Sequence, residues 1–203
     1  MSFEYAVAAS VSDAYEDSIG NVTLDNSTDT ITQNEWVGFR FRVDLDSSHI
    51  PSISDVWLKV HVSGADDPAV NVNVEDADNS AVFTTTTEDV SGRTLTGTVT
   101  WDQTGIGSGY QDSPSLLTPF TDVLSRPGWS AGNYLTVTLD GTTAARELGV
   151  TMFEGNLPAI LFVQTPDPDD GGNPGSLPPN NVGIQAFHRQ IYMIPKTLSG
   201  GVF

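Results

Sequence analysis

Three histidines, His49, His61 and His188, are the side chains best suited to proton transfer or metal ligation near neutral pH, and they are widely separated in the chain. None belongs to a metal-ligand pair such as H-x-x-x-H. No G-x-S-x-G elbow occurs. The absence of cysteine removes disulfides, thiolate metal sites and cysteine nucleophiles together. Glu147 and Glu154 approach a carboxylate pair, but strand-like sequence between them sets no separation, and 26 acidic residues make chance pairs common. The glycine-rich "GIGSG" at 105–109 lacks the lysine of a phosphate loop and has no βαβ setting, so it reads as a loop. No enzymatic activity is expected.

Metal and ligand chemistry have more to stand on. Asp13, Glu16 and Asp17 cluster in "SDAYEDS" and offer carboxylates of the kind Ca²⁺ takes among its six to eight oxygen ligands. The alternative is a solvated acidic turn, since no EF-hand loop is present. Among the tryptophans, Trp36, Trp101 and Trp129 fall beside apolar residues at element ends and read as core. Trp57 differs, because alternation turns it away from Val56, Leu58 and Val60. It is either covered by another part of the chain or is a contact for a glycan or a second subunit.

The elements that must position these residues are strands. "WVGFRFRVDL" puts Val37, Phe39, Phe41, Val43 and Leu45 on one face; "DVWLKVHV" does the same with Val56, Leu58, Val60 and Val62. "AVNVNVE", "RTLTGTVTW", "NYLTVTLD" and "LGVTMFE" alternate likewise, while "PAILFVQ" is apolar on both faces and reads as central. Strands wet on one face belong to antiparallel sheets, and two such sheets bury their apolar faces against each other. The predicted fold is therefore all-β: an antiparallel two-sheet β-sandwich over residues 1–165. "SPSLLTPFTDVLSRPGW" interrupts it with one short helix, capped by Thr118, with Pro119 first, Phe120, Val123 and Leu124 on one face, and Pro127 as the stop. Its expected place is the open end of the sandwich.

Charge excludes partners. Twenty-six acidic residues against eight basic give a formal net of −18, a field that repels nucleic acid and anionic lipid. No apolar run is long enough to cross a bilayer as a helix. An acidic surface with few lysines suits solubility in concentrated salt, or simply solubility at low pI. The N-terminal stretch has no basic region and puts Glu4 where an apolar signal core would begin, so it is not read as a secretory signal.

After "PAILFVQ" comes a tether, 166–181, too rich in Pro, Gly and Asp to pack. Residues 182–203 then turn apolar and locally basic through His188, Arg189 and Lys196. They form a C-terminal extension that either returns as an edge strand or docks on a neighbour, with Phe187, Arg189 and Tyr192 as contact residues.

In order along the chain, "SDAYEDSIGNVTL", "WVGFRF", "IPSISDVWLKVHV", "RTLTGTVTWD", "SPSLLTPFTDVLSRPGWSAGNYLTVTL" and "FEGNLPAILFV" resemble the DNRLRE and disaggregatase-related jelly-roll modules of prokaryotic surface proteins. These are galactose-binding-like β-sandwiches, and the resemblance spans about residues 10–164. It implies a jelly roll that serves adhesion, carbohydrate contact or scaffolding without catalysis, often with a structural calcium, here near Asp13. The C-terminal arm departs from that pattern, as does the expectation of a module standing alone without a signal. The expected function is a non-enzymatic structural protein on the surface of a virus particle, of a tailed phage or haloarchaeal virus. It would act as a capsid decoration, turret, tail or fibre component, docked to other virion proteins and to itself through 182–203. The alternative is a carbohydrate-binding adhesion module at a cell surface, with a host-surface glycan as partner.

Overall fold

The computed structural model describes residues 2–66, 69–142 and 146–166. The chain divides after Asp170, and the arm with Phe187, Arg189 and Tyr192, together with the tether beyond Pro166, lies outside the described residues. The elements in chain order are β1 Ser2–Ala6, β2 Asp13–Glu16, β3 Val22–Thr23, β4 Thr28–Ile31, β5 Trp36–Arg42, β6 Asp55–Ala65, β7 Ala69–Glu75 and β8 Leu95–Asp102. They are followed by β9 Gly109–Asp112, α1 Leu117–Leu124, β10 Tyr134–Gly141, β11 Leu148–Thr151 and β12 Ile160–Gln164.

All strand pairings among them are antiparallel. Four pairs nest: β4 with β11, β5 with β10, β6 with β9, and β7 with β8. Alternate pairs fall in opposite sheets, as when one long hairpin is rolled up, and this is jelly-roll topology. The first sheet runs β1-β12-β6-β11-β4 with β9 also on β6; the second runs β3-β2-β5-β10-β7-β8. The all-β, two-sheet sandwich expected from alternation is the fold.

The core lies where the two inner faces meet. Val56, Leu58, Val60 and Val62 of β6 are fully buried, facing Val37, Phe39 and Phe41 of β5 and Val137 and Leu139 of β10. Truncating either phenylalanine to Ala would cost about 3–5 kcal/mol by the usual scale for buried rings. Trp101 and Trp129 are buried, and Trp129 Nε1 donates to the Leu45 carbonyl at 2.9 Å. Helix α1 buries Phe120, Val123 and Leu124 and touches β6 of one sheet and β7 and β8 of the other, so it fills the gap between them. Its start differs from the expected one. The N-cap position is Leu116, not Thr118, and no side chain caps from it. Leu116 is fully buried, so apolar packing sets where this helix begins. Pro119 still falls in the first turn, where a missing N–H loses no intrahelical bond.

The second sheet holds a feature that alternation did not announce. Its outer face, expected to be wet, carries Arg40 at 9% exposure and Thr136 and Thr138 at 0%. Residues 76–94, between β7 and β8, fold across it and bring Phe83 and Val90 against Ala14 and Val22 in a second, smaller cluster. A Cβ built on Gly38 would overlap the Phe83 ring, so the absence of a side chain at Gly38 is what lets the segment lie flat. Arg93, its side chain only 7% exposed, pins the segment. It pairs with Glu75 at 2.8 Å, donates from Nε to the Asp89 carbonyl at 2.8 Å, and lies 4.3 Å above the Phe83 ring. Glu16 Oε2 accepts the backbone amides of Val90 and Ser91 at 2.8 and 3.0 Å. Arg126, just past α1, ties down the beginning of the segment through Asp76 and, at 2.6 Å, Asp78.

Gly38→Ala should therefore destabilise the protein by about 1–3 kcal/mol through overpacking. Gly64→Ala, where an added Cβ meets nothing within 4 Å, should stay within about 0.5 kcal/mol of the parent. Thermal unfolding of the two variants checks this; equal melting temperatures would contradict the docked position of Phe83.

Candidate functional site

The acids proposed for calcium lie on one short strand and its turn, and the geometry separates them. Successive residues of β2 point to opposite faces. Asp13 points inward, where its Oδ2 accepts the Phe153 amide at 2.6 Å. Glu16 points outward and holds the 76–94 segment. Asp17 sits in the exposed turn, where Oδ1 accepts the amides of Ile19 and Asn21 and Oδ2 the Asn21 side chain. Each carboxylate thus has its own local partner, and the three do not converge. Among the described residues no group of three or more His, Asp or Glu side chains is arranged to hold a metal ion.

Asp13 does have acidic company, drawn from elsewhere in the chain. Asp13 Oδ1, Asp29 Oδ2 and Glu154 Oε2 are each buried and without a hydrogen-bond partner. Burial pushes Asp13 up to about 7; the Phe153 amide opposes the rise, while the Glu154 and Asp29 carboxylates add to it. Burial likewise lifts Asp29 to about 6, against the hydrogen bond from Asn26 and with help from Glu35. Glu147, the other half of the sequence-level pair, is exposed beside Asp66 in a shallow recess, away from this group.

Trp57 lies on the outer face of the first sheet. Its ring is parallel to Phe162 on the neighbouring β12, with centroids 5.3 Å apart and planes at 1°. Lys59, next on the same face, reaches over the Phe162 ring at 4.8 Å and pairs with Asp112 at 3.3 Å. His61 meets Tyr110 of β9 edge-on at 5.4 Å, and its Nδ1 lies 3.0 Å from Thr151 Oγ1. The result is a half-exposed aromatic strip across three strands, with Tyr110 40% exposed at one end. Trp57 was visible as an outward aromatic in its own strand. Phe162 and Tyr110 were not, because strand register brings them alongside; outward parity in "PAILFVQ" and "GYQD" was the only available signal. The other sequence-level candidates take structural places. His49 completes a capping box with Asp46, and "GIGSG" connects β8 to β9 across the two sheets.

No family model matches this chain, and no curated protein matches it.

The raised carboxyls give a pH signature with a definite sign. A group with a folded-state pKa above its unfolded one binds more protons when folded, so stability falls as pH rises between the two values. For Asp13 that window runs from about 4 to about 7. Asp13→Asn keeps an acceptor for the Phe153 amide and removes the charge. It should flatten the loss of stability over that window and raise the melting temperature at pH 8 by at least about 3 °C. Melting curves at half-unit pH steps read this, and a lower melting temperature for the variant at pH 8 would contradict it.

Proposed function

We propose that this protein is a non-enzymatic display and attachment module: a rigid jelly roll presented on a surface, in our reading that of a virus particle. There it serves as a capsid decoration, turret, tail or fibre component. It belongs with the jelly-roll modules of prokaryotic surface proteins that its sequence resembles, and residues 182–203 attach it to virion partners and to copies of itself. The observation that carries this reading is how the charged side chains around segment 76–94 are used. Arg93 and Glu16, both buried, and the part-exposed Arg126 all hold segment 76–94 against the sandwich. A block with these charged groups committed to stiffness suits display. The acid-rich surface, with a net of −18, suits a particle exposed to concentrated salt.

The second reading, a carbohydrate-binding adhesion module, is favoured by the aromatic strip of Trp57, Phe162 and Tyr110, since sugar rings bind through their C–H faces to such surfaces. The two are separable. Solution mass of the whole chain should report an oligomer that becomes monomeric when residues 166–203 are removed. A monomer in both forms would contradict attachment through the arm. Glycan-array binding that Trp57→Ala reduces at least about tenfold would favour adhesion, and its absence would leave display as the function.

A further inference from the structure

Strand β12 is apolar on both sides. Leu161 and Val163 are buried in the core, while Ile160 and Phe162 face outward and are only half-buried. A strand apolar throughout is the pattern of one covered on both faces. Register sets Phe162 beside Trp57, Ile160 beside Lys59 and Tyr110 beside His61, so the apolar side chains run as one strip over β12, β6 and β9. Among the described residues nothing folds over it. Contiguous apolar surface of this kind on a folded domain marks a contact with another chain.

Charge says what kind of chain. Glu4 lies next to Phe162 in register, Asp112 next to Lys59, and Asp55 two residues before Trp57 on the same side of β6, so carboxylates stand at the margins of the strip. Lys59 is already paired with Asp112 at 3.3 Å. Such a margin repels the acidic surface of another copy and receives an apolar segment that carries cations. Residues 182–203 are such a segment. They are apolar, they hold His188, Arg189 and Lys196, and they contain no Asp or Glu in a chain with 26 acidic residues.

We propose that the strip of Trp57, Phe162 and Tyr110 is the dock for the C-terminal arm of a second copy of this chain. Phe187 and Tyr192 of the incoming arm pack on the aromatic rings, and Arg189 meets the carboxylate margin. The tether of residues 166–181 spans at most about 55 Å when fully extended, against a radius of gyration of about 15 Å for a domain of this size, so its reach is enough to cross to a neighbour. The inference rests on the reading that residues 182–203 attach copies to one another, and it names the surface that receives them. A strip filled in this way is closed to a glycan, so the inference competes with the adhesion reading.

The test is the solution mass of the full chain by sedimentation over a range of concentrations, with variants on each side of the contact. Trp57→Glu puts a carboxylate into the strip and should weaken self-association at least about tenfold. Tyr110→Glu, on a side chain 40% exposed, should weaken it too and takes over if the Trp57 variant fails to fold. Phe187→Glu combined with Tyr192→Glu should do the same from the side of the arm. Mixing then identifies the partner. The strip variant keeps an intact arm and the arm variant keeps an intact strip, so the two should associate with each other while each alone stays monomeric. A monomeric parent overturns both this inference and the attachment reading. An oligomeric parent whose association Trp57→Glu and Tyr110→Glu leave unchanged overturns this inference alone, because the arm then docks elsewhere. Two monomeric variants that fail to associate on mixing overturn it as well.

Discussion

Arg93 is a side chain on which much of this structure depends, because it converts an edge-to-edge connection into a second layer. Residues 76–94 join two adjacent strands of one sheet, a task a short turn performs elsewhere. Here the connection is long and lies back over the sheet it came from. A buried guanidinium that pairs with Glu75, reaches backbone carbonyls of the segment and lies over Phe83 is what holds it there. Removing one partner from such a buried pair costs about 3–5 kcal/mol, because the other charge is left stranded. The consequence is that one outer face of the sandwich belongs to the interior. Gly38, Thr136 and Thr138, at positions that alternation assigns to solvent, are buried for that reason.

This covered face sorts the surfaces available for function. The second sheet offers solvent only its margins, and a groove at Arg40 opens along one of them, walled in part by Val82 of the docked segment. Among the described residues nothing folds over the outer face of the first sheet, and there Trp57 and Phe162 stack beside Lys59, His61 and Tyr110. The deeply set acids Asp13 and Asp29 lie away from both, each with a buried oxygen lacking a partner, and their chemistry is a matter of protonation and stability.

The sequence disclosed the first core almost completely, since period-two alternation in β5, β6, β7 and β10 is dictated by the inner faces alone. The order of sheets and the nested pairing lie beyond alternation, which says which face is buried and nothing about which strand lies alongside. What stayed hidden has a common cause. Phe83 and Val90 are isolated apolar residues in a polar stretch, with no period to reveal them. Their burial depends on a glycine in another strand and an arginine ten residues from Phe83. The acids tell the same story: proximity along "SDAYEDS" suggested one cluster, but strand parity sends Asp13 and Glu16 to opposite faces, and Asp13 finds its neighbours at Asp29 and Glu154. The groove between β1 and the second sheet arises from four separate parts of the chain that no local pattern joins.

The central claim, that segment 76–94 is part of the folded core and fixes which surfaces remain for binding, is tested most directly by native-state hydrogen exchange at the amides of Val90 and Ser91. Both donate to Glu16 on the far side of the docked segment. The account predicts that they exchange slowly, with protection close to that of the core strand amides, and that Arg93→Met releases them while β5 and β10 stay protected. Exchange in the parent protein at the rate of an unprotected surface loop would contradict it.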